Sequence, residues 1–184
     1  AVGRVAKALG ATNTVEIPEA APARAPAFII TTVEGASLHL DRLRNRPQDF
    51  DPATRDRLIA GSMVPAPFVD KAQKFRRWYR ARMRELFGNE DAIIAPATPC
   101  VAPKLGEQTL MLDGAAMPLR ANIGIYTQPI SFIGLPVAAV PVPLSPLPIA
   151  VQIIAAPWRE DIALRVAHAL ERTGVAAAPV SKDS

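Results

Sequence analysis

The chain has 184 residues, 49% of them apolar and 21% charged; this is enough for a domain with a real core and excludes a disordered composition. Its net charge of +4 permits acidic partners without demanding them. The one cysteine, Cys100, excludes an intrachain disulfide and fits a reducing compartment such as the cytoplasm. Proline is over-represented at 19 of 184 residues, against an average share of roughly 5%. The prolines gather at 96–103 and 136–157 without a PxxP repeat, and read as punctuation around strands.

The chain opens at Ala1 directly on a helical pattern, with no initiator Met and no leader of basic start and apolar core. Ala1 therefore does not read as a natural beginning. Val2, Val5, Ala6 and Leu9 repeat at helical spacing, and Gly10 ends that helix. Thr14-Val15-Glu16-Ile17 alternates like a short strand closed by Pro18. A second helix is predicted from Pro26 to about Arg44. Asp51-Pro52 then caps and starts a third, stopped at Gly61. Phe68, Ala72, Phe75, Tyr79, Met83 and Leu86 form the apolar stripe of a long fourth helix ending before Gly88.

Asp91 to Ala95 reads as a short buried strand terminated by Pro96. Residues 101–120 hold turn signals at Gly106 and Asp113-Gly114 that suit a hairpin. From Ala121 to Trp158 there is no charged residue. That is long enough for a membrane span, but Pro129, Pro136, Pro141, Pro143, Pro146, Pro148 and Pro157 would break any such helix. Strands at Ile133 to Val142 and Ile149 to Ile154, buried on both faces of a sheet and joined at Ser145-Pro146, are the reading preferred. A last helix runs from about Glu160 to Thr173, with Ile162, Val166 and Leu170 inward, Asp161 placed to pair with Arg165, and Gly174 as its stop. The order of elements predicts an α/β protein with helices packed on a largely buried sheet.

Several residues invite a chemical role. Lys71, Lys74, Arg76, Arg77, Arg80, Arg82 and Arg84, with Trp78 and Tyr79 among them, could make a non-catalytic interaction or nucleic-acid-binding module of helix 71–84. A solvated face opposite the apolar stripe explains the same pattern, and a basic stripe alone supplies only nonspecific attraction. Cys100 with His39 or His168 could form a nucleophile pair, but His168 lies beside the apolar stripe of its helix and reads as a packing residue. Two histidines without matching Cys or carboxylate spacing give no metal-ligand set. No G-x-S-x-G elbow and no glycine-rich phosphate loop occurs. Arg120, the last charge before the uncharged stretch, could grip a carboxylate at the mouth of an apolar pocket, or simply end the hairpin at the surface.

Four segments, in order, carry a resemblance. They are Phe50-Asp51-Pro52 through Gly61 with Lys71-Ala72-Gln73-Lys74; Asp91-Ala92-Ile93-Ile94-Ala95-Pro96-Ala97-Thr98-Pro99; Tyr126-Thr127-Gln128-Pro129 through Gly134-Leu135-Pro136-Val137-Ala138-Ala139-Val140-Pro141; and Leu147 through Ile154 with the helix holding Leu164-Arg165-Val166-Ala167. Together they resemble the C-terminal third of the amidase-signature family over residues 1–175, leaving 176–184 as a frayed tail. The resemblance implies part of an α/β/α fold with a mixed, largely buried central sheet covered by helices. Asn122 through Phe132 and Ala155 through Asp161 look like the AtzE-type branch of 1-carboxybiuret hydrolases, with allophanate hydrolases or other small-amide amidases as alternatives.

The resemblance implies acyl-enzyme chemistry on a Ser–cis-Ser–Lys triad, in which a serine attacks the amide carbonyl and a lysine moves its proton through a bridging serine. No Gly-Ser-Ser run occurs here, and Lys7, Lys71, Lys74, Lys104 and Lys182 match no triad position. The triad is therefore expected upstream, no catalytic residue is assigned, and this segment alone is expected to be inactive. What carries over is one pocket wall, with Tyr126, Thr127 and Gln128 as candidate substrate-binding residues and Arg120 as a candidate carboxylate partner. The glutamine-dependent amidotransferase branch has an aspartate, which holds the substrate's amino group, where this chain has Gly124. That departure fits a substrate without an ammonium, such as a carboxylated urea derivative. No metal, cofactor or membrane partner is expected, and nucleic acid is not the favoured partner. The resemblance does imply a small accessory subunit, with homodimerisation as an option for the whole enzyme.

Overall fold

A computed structural model of the chain describes residues 1–178, so 179–184 of the expected tail lie outside the described residues. The backbone divides into two units, one of Ala1–Ile17 with the residues from Met83 onward, the other of Pro18–Arg82.

The first unit is built around the most continuous β-branched run of the sequence. That run forms β5 (Ile149–Ala155), which lies between β1 (Ala92–Pro96) and β4 (Val137–Val142) with both pairs antiparallel. Side chains alternate across a strand. Val151, Ile153 and Ala155 therefore share one face with Val140 and Val142, and α1 (Val2–Leu9) and α7 (Glu160–Arg172) cover that face. Val5, Ile162, Ala163 and Leu170 complete this core, each large aliphatic side chain contributing about 1.5–3 kcal/mol on burial. Gln152 and Ile154 point to the opposite face, where Ile93 stands beside Ile154 in register.

Several expectations are corrected here. Only the central strand is buried throughout, from Val151 to Ala155; β1 and β4 are edge strands with exposed or half-buried positions. The pairs among the described residues are antiparallel, so the mixed character implied by the resemblance does not show in these three strands. The strand expected at Thr14–Ile17 does not form. Alternation supplies a face but not a ladder partner, and a cleft of about 480 Å³ runs between residues 10–17 and β1. Ile133 and Gly134 are turn, with Gly134 at φ 69°, Leu135 and Pro136 are irregular, and the strand starts at Val137. The start of the expected frayed tail is docked: Ala176 is buried in the core, and the Ala177 N–H donates to the Pro141 carbonyl.

The expected hairpin is present as β2 (Thr109–Leu112) and β3 (Ala115–Pro118). Its two central residues, Asp113 at φ 48° and Gly114 at φ 80°, both occupy the left-handed region that a two-residue turn of this hand requires.

The second unit holds α2 (Arg24–Asn45), a 3-10 turn at Pro47–Asp49, α3 (Pro52–Ser62) and most of α4 (Ala66–Leu86), the division falling between Arg82 and Met83. Asp51 caps α3, its Oδ2 accepting from the Thr54 N–H and hydroxyl, each at 2.9 Å. Gly61 lies inside α3 rather than stopping it, and its role is close approach. A Cβ there would strike the Thr32 carbonyl of α2 and come within 2.7 Å of Thr32 Cγ2. The α4 stripe is as expected at Ala72, Tyr79 and Met83, which are buried, whereas Phe68 is exposed. Among the described residues no helix is long and apolar enough to cross a membrane.

Candidate functional site

Two one-turn helices, α5 (Leu119–Asn122) and α6 (Gln128–Ser131), bracket the segment that the resemblance singles out. Helices this short do not persist by themselves; α5 packs on the β2–β3 hairpin, and Gln152 holds the turn that leads into α6. Asn122 is buried and its Nδ2 donates to the Pro118 carbonyl at 2.9 Å. The Gly124 carbonyl accepts from the N–H groups of Thr127 at 3.2 Å and Gln128 at 2.9 Å, and from Thr127 Oγ1 at 3.4 Å. The Tyr126 carbonyl accepts from Gln152 Nε2 at 2.9 Å, and the same nitrogen donates to the Pro96 carbonyl at 2.8 Å.

Tyr126, Thr127 and Gln128 thus sit together on one ordered turn, with Tyr126 40% exposed and the other two half-buried. Hydroxyl and amide groups of this kind suit the binding of a small polar amide. Arg120 is exposed on α5, which packs on the β2–β3 hairpin. It therefore belongs to the hairpin side of the segment, while Tyr126 is tied to the sheet side. Gly124 is not required by backbone geometry. Its φ is not positive, and an added Cβ would meet only Thr127 Oγ1 at an ordinary 3.5 Å. Neither backbone conformation nor close approach therefore demands glycine at this position.

Gln152 is the residue that sequence reasoning missed. Its signal was a lone amide inside the apolar run Val151-Gln152-Ile153-Ile154, a position where a polar group must find partners.

The other candidates separate. Lys71, Lys74, Arg77, Arg82 and Arg84 are exposed and Lys74 pairs with Asp70 at 2.7 Å, as a solvated helix face does. His39 packs edge-on against Phe50 at 5.7 Å. His168 is exposed, not a packing residue as expected, because it falls one position beyond the half-buried Val166 and Ala167. Cys100 is half-buried. Among the described residues no three His, Cys, Asp or Glu side chains gather as a metal site.

The Amidase family model matches residues 7–164. The chain belongs to the amidase family. Among curated relatives, AtzE of Pseudomonas sp. (strain ADP), a 1-carboxybiuret hydrolase subunit, is 46% identical over 96% of this chain and 39% of its own length. An s-triazine catabolic enzyme from a vestigial protein complex, solved with an inhibitor bound, is 45% identical with a TM-score of 0.91, covering 97% of this chain and 40% of that one. A Glutamyl-tRNA(Gln) amidotransferase chain from Thermotoga maritima is 27% identical with a TM-score of 0.68, covering 93% of this chain and 37% of that one. The chain thus spans about two fifths of the length of the amidases it matches.

Proposed function

We propose that the chain is the C-terminal portion of an amidohydrolase that cleaves a C–N bond of a small urea-derived substrate, with 1-carboxybiuret the leading candidate. The observation that carries this reading is the likeness to AtzE, 46% identical across 96% of the chain. Gly124 supports it. A carboxylate at that position would repel an anionic substrate, and the wall carries none there although the backbone leaves room for a Cβ.

In this reading the nucleophile and its lysine lie elsewhere in the enzyme and form the acyl-enzyme. The present chain holds the substrate. Tyr126, Thr127 and Gln128 contact its amide groups, and Arg120 meets its carboxylate through a charge-assisted pair. The enzyme works in the cytoplasm with Cys100 reduced, needs no cofactor, and pairs with a small accessory subunit or a second copy of itself.

The test is an assay of the complete enzyme on 1-carboxybiuret, allophanate and glutamine. Turnover of the first, with little of the other two, is expected. Preference for allophanate would move the assignment to that alternative, and preference for glutamine would overturn it. For the anion contact, Arg120→Ala should raise KM for 1-carboxybiuret about tenfold, the loss of one charge-assisted hydrogen bond. An unchanged KM removes Arg120 from the site.

A further inference from the structure

We infer that Gln152 is a positioning residue which fixes the substrate-facing turn 124–128 to the sheet and thereby sets substrate affinity. The inference rests on the proposal above that this turn is a pocket wall, and it adds the means by which the turn is held.

Gln152 is 1% exposed and stands in the middle of β5, which is flanked by a strand on both sides. Its Nε2 donates to two carbonyls from different parts of the chain, Pro96 at the end of β1 and Tyr126 in the turn. An NH₂ group has two protons, and both are used. The neighbours in register, Ala95 and Ala139, are small and leave the amide room to reach across. Pro96 ends β1, so the bond to its carbonyl anchors the amide to the sheet while the other proton holds the turn.

The backbone bonds to Gly124 are internal to the turn. They shape it without locating it. The Gln152 bond to the Tyr126 carbonyl ties the turn to the central strand of the sheet. A carbonyl held at 2.9 Å fixes the backbone from which the Tyr126 and Thr127 side chains project. A wall pre-organised in this way binds substrate without a further ordering cost.

Two substitutions separate positioning from mere packing, both made in the complete enzyme. Gln152→Met keeps the volume and removes both donors. Amide exchange in 122–130 should become faster, and KM for 1-carboxybiuret should rise about tenfold with kcat changed less than about twofold. Gln152→Glu places a buried carboxylate against two carbonyl oxygens, and burial favours its neutral form. Once protonated it can donate one hydrogen bond. The KM ratio of this variant to wild type should therefore fall as pH is lowered, a profile that loss of packing alone does not produce. Exchange unchanged in 122–130, or faster exchange with unchanged KM in Gln152→Met, overturns the inference, as does a pH-independent KM ratio in Gln152→Glu. Failure of the pocket-wall reading is seen separately. In that case Thr127→Val and Gln128→Ala would leave KM unchanged in an otherwise wild-type background.

Discussion

Tyr79 shows how a single residue couples burial to pH. Its ring is fully buried in α4 and stacked on Phe75 with centroids 6.0 Å apart. Burial opposes the phenolate and pushes its pKa up from 10.0 to about 12. Below pH 10 the phenol is neutral in both folded and unfolded chains, so stability does not depend on it. Between about pH 10 and 12 the unfolded chain ionises first, and stability falls by roughly 1.4 kcal/mol per pH unit. Denaturation midpoints measured across that range should decline more steeply in the wild type than in Tyr79→Phe. The stripe that contains Tyr79 was legible in the sequence, because helical spacing of apolar residues fixes which side turns inward. Gln152 was not legible as a brace, since its two partners lie 56 and 26 residues away. Gly124 lies between these cases. Its identity was visible, but only the open space around its Cβ position showed that no steric rule demands glycine there.

The elements came out close to their signals where the signal was local. The Asp51 cap, the Asp113-Gly114 hairpin turn and the Asp161–Arg165 pair at 3.0 Å all follow from nearest neighbours in sequence. Arg159 also bonds Asp161, and this bond above all holds the Asp161 carboxyl below its ordinary pKa. Gly61 has the sequence signature of a helix stop, but its cause is the neighbouring helix. Gly61→Ala should destabilise the protein by about 1–3 kcal/mol, the range for forced overpacking, because the atoms it meets include Thr32 backbone. Gly35→Ala meets only Leu58 Cδ2 at 2.7 Å, the end of a flexible side chain, and should cost less. Thermal unfolding of the two variants side by side checks the order. Thr14–Ile17 failed as a strand for a related reason, since a cleft separates it from β1 and its alternation meets no ladder partner.

At the scale of the molecule, β1 and β4 each have an outer edge without a strand partner among the described residues. Leu105, Trp158 and Leu164 are more than half exposed. Open edges and exposed apolar side chains favour association between chains. The 184-residue chain expressed by itself should therefore fail to melt cooperatively as a monomer, as calorimetry with sedimentation would show. A soluble monomer with one sharp transition would contradict this. The α/β class, most helices, the hairpin and the amidase resemblance were legible in residue order alone, because these depend on periodicity, turn residues and ordered local motifs. The tertiary structure decided which strand is central, where the end of the described chain docks, and what holds the turn at Tyr126. Those depend on partners far apart in sequence, and a pattern of residue types names the groups that need a partner without saying where the partner is.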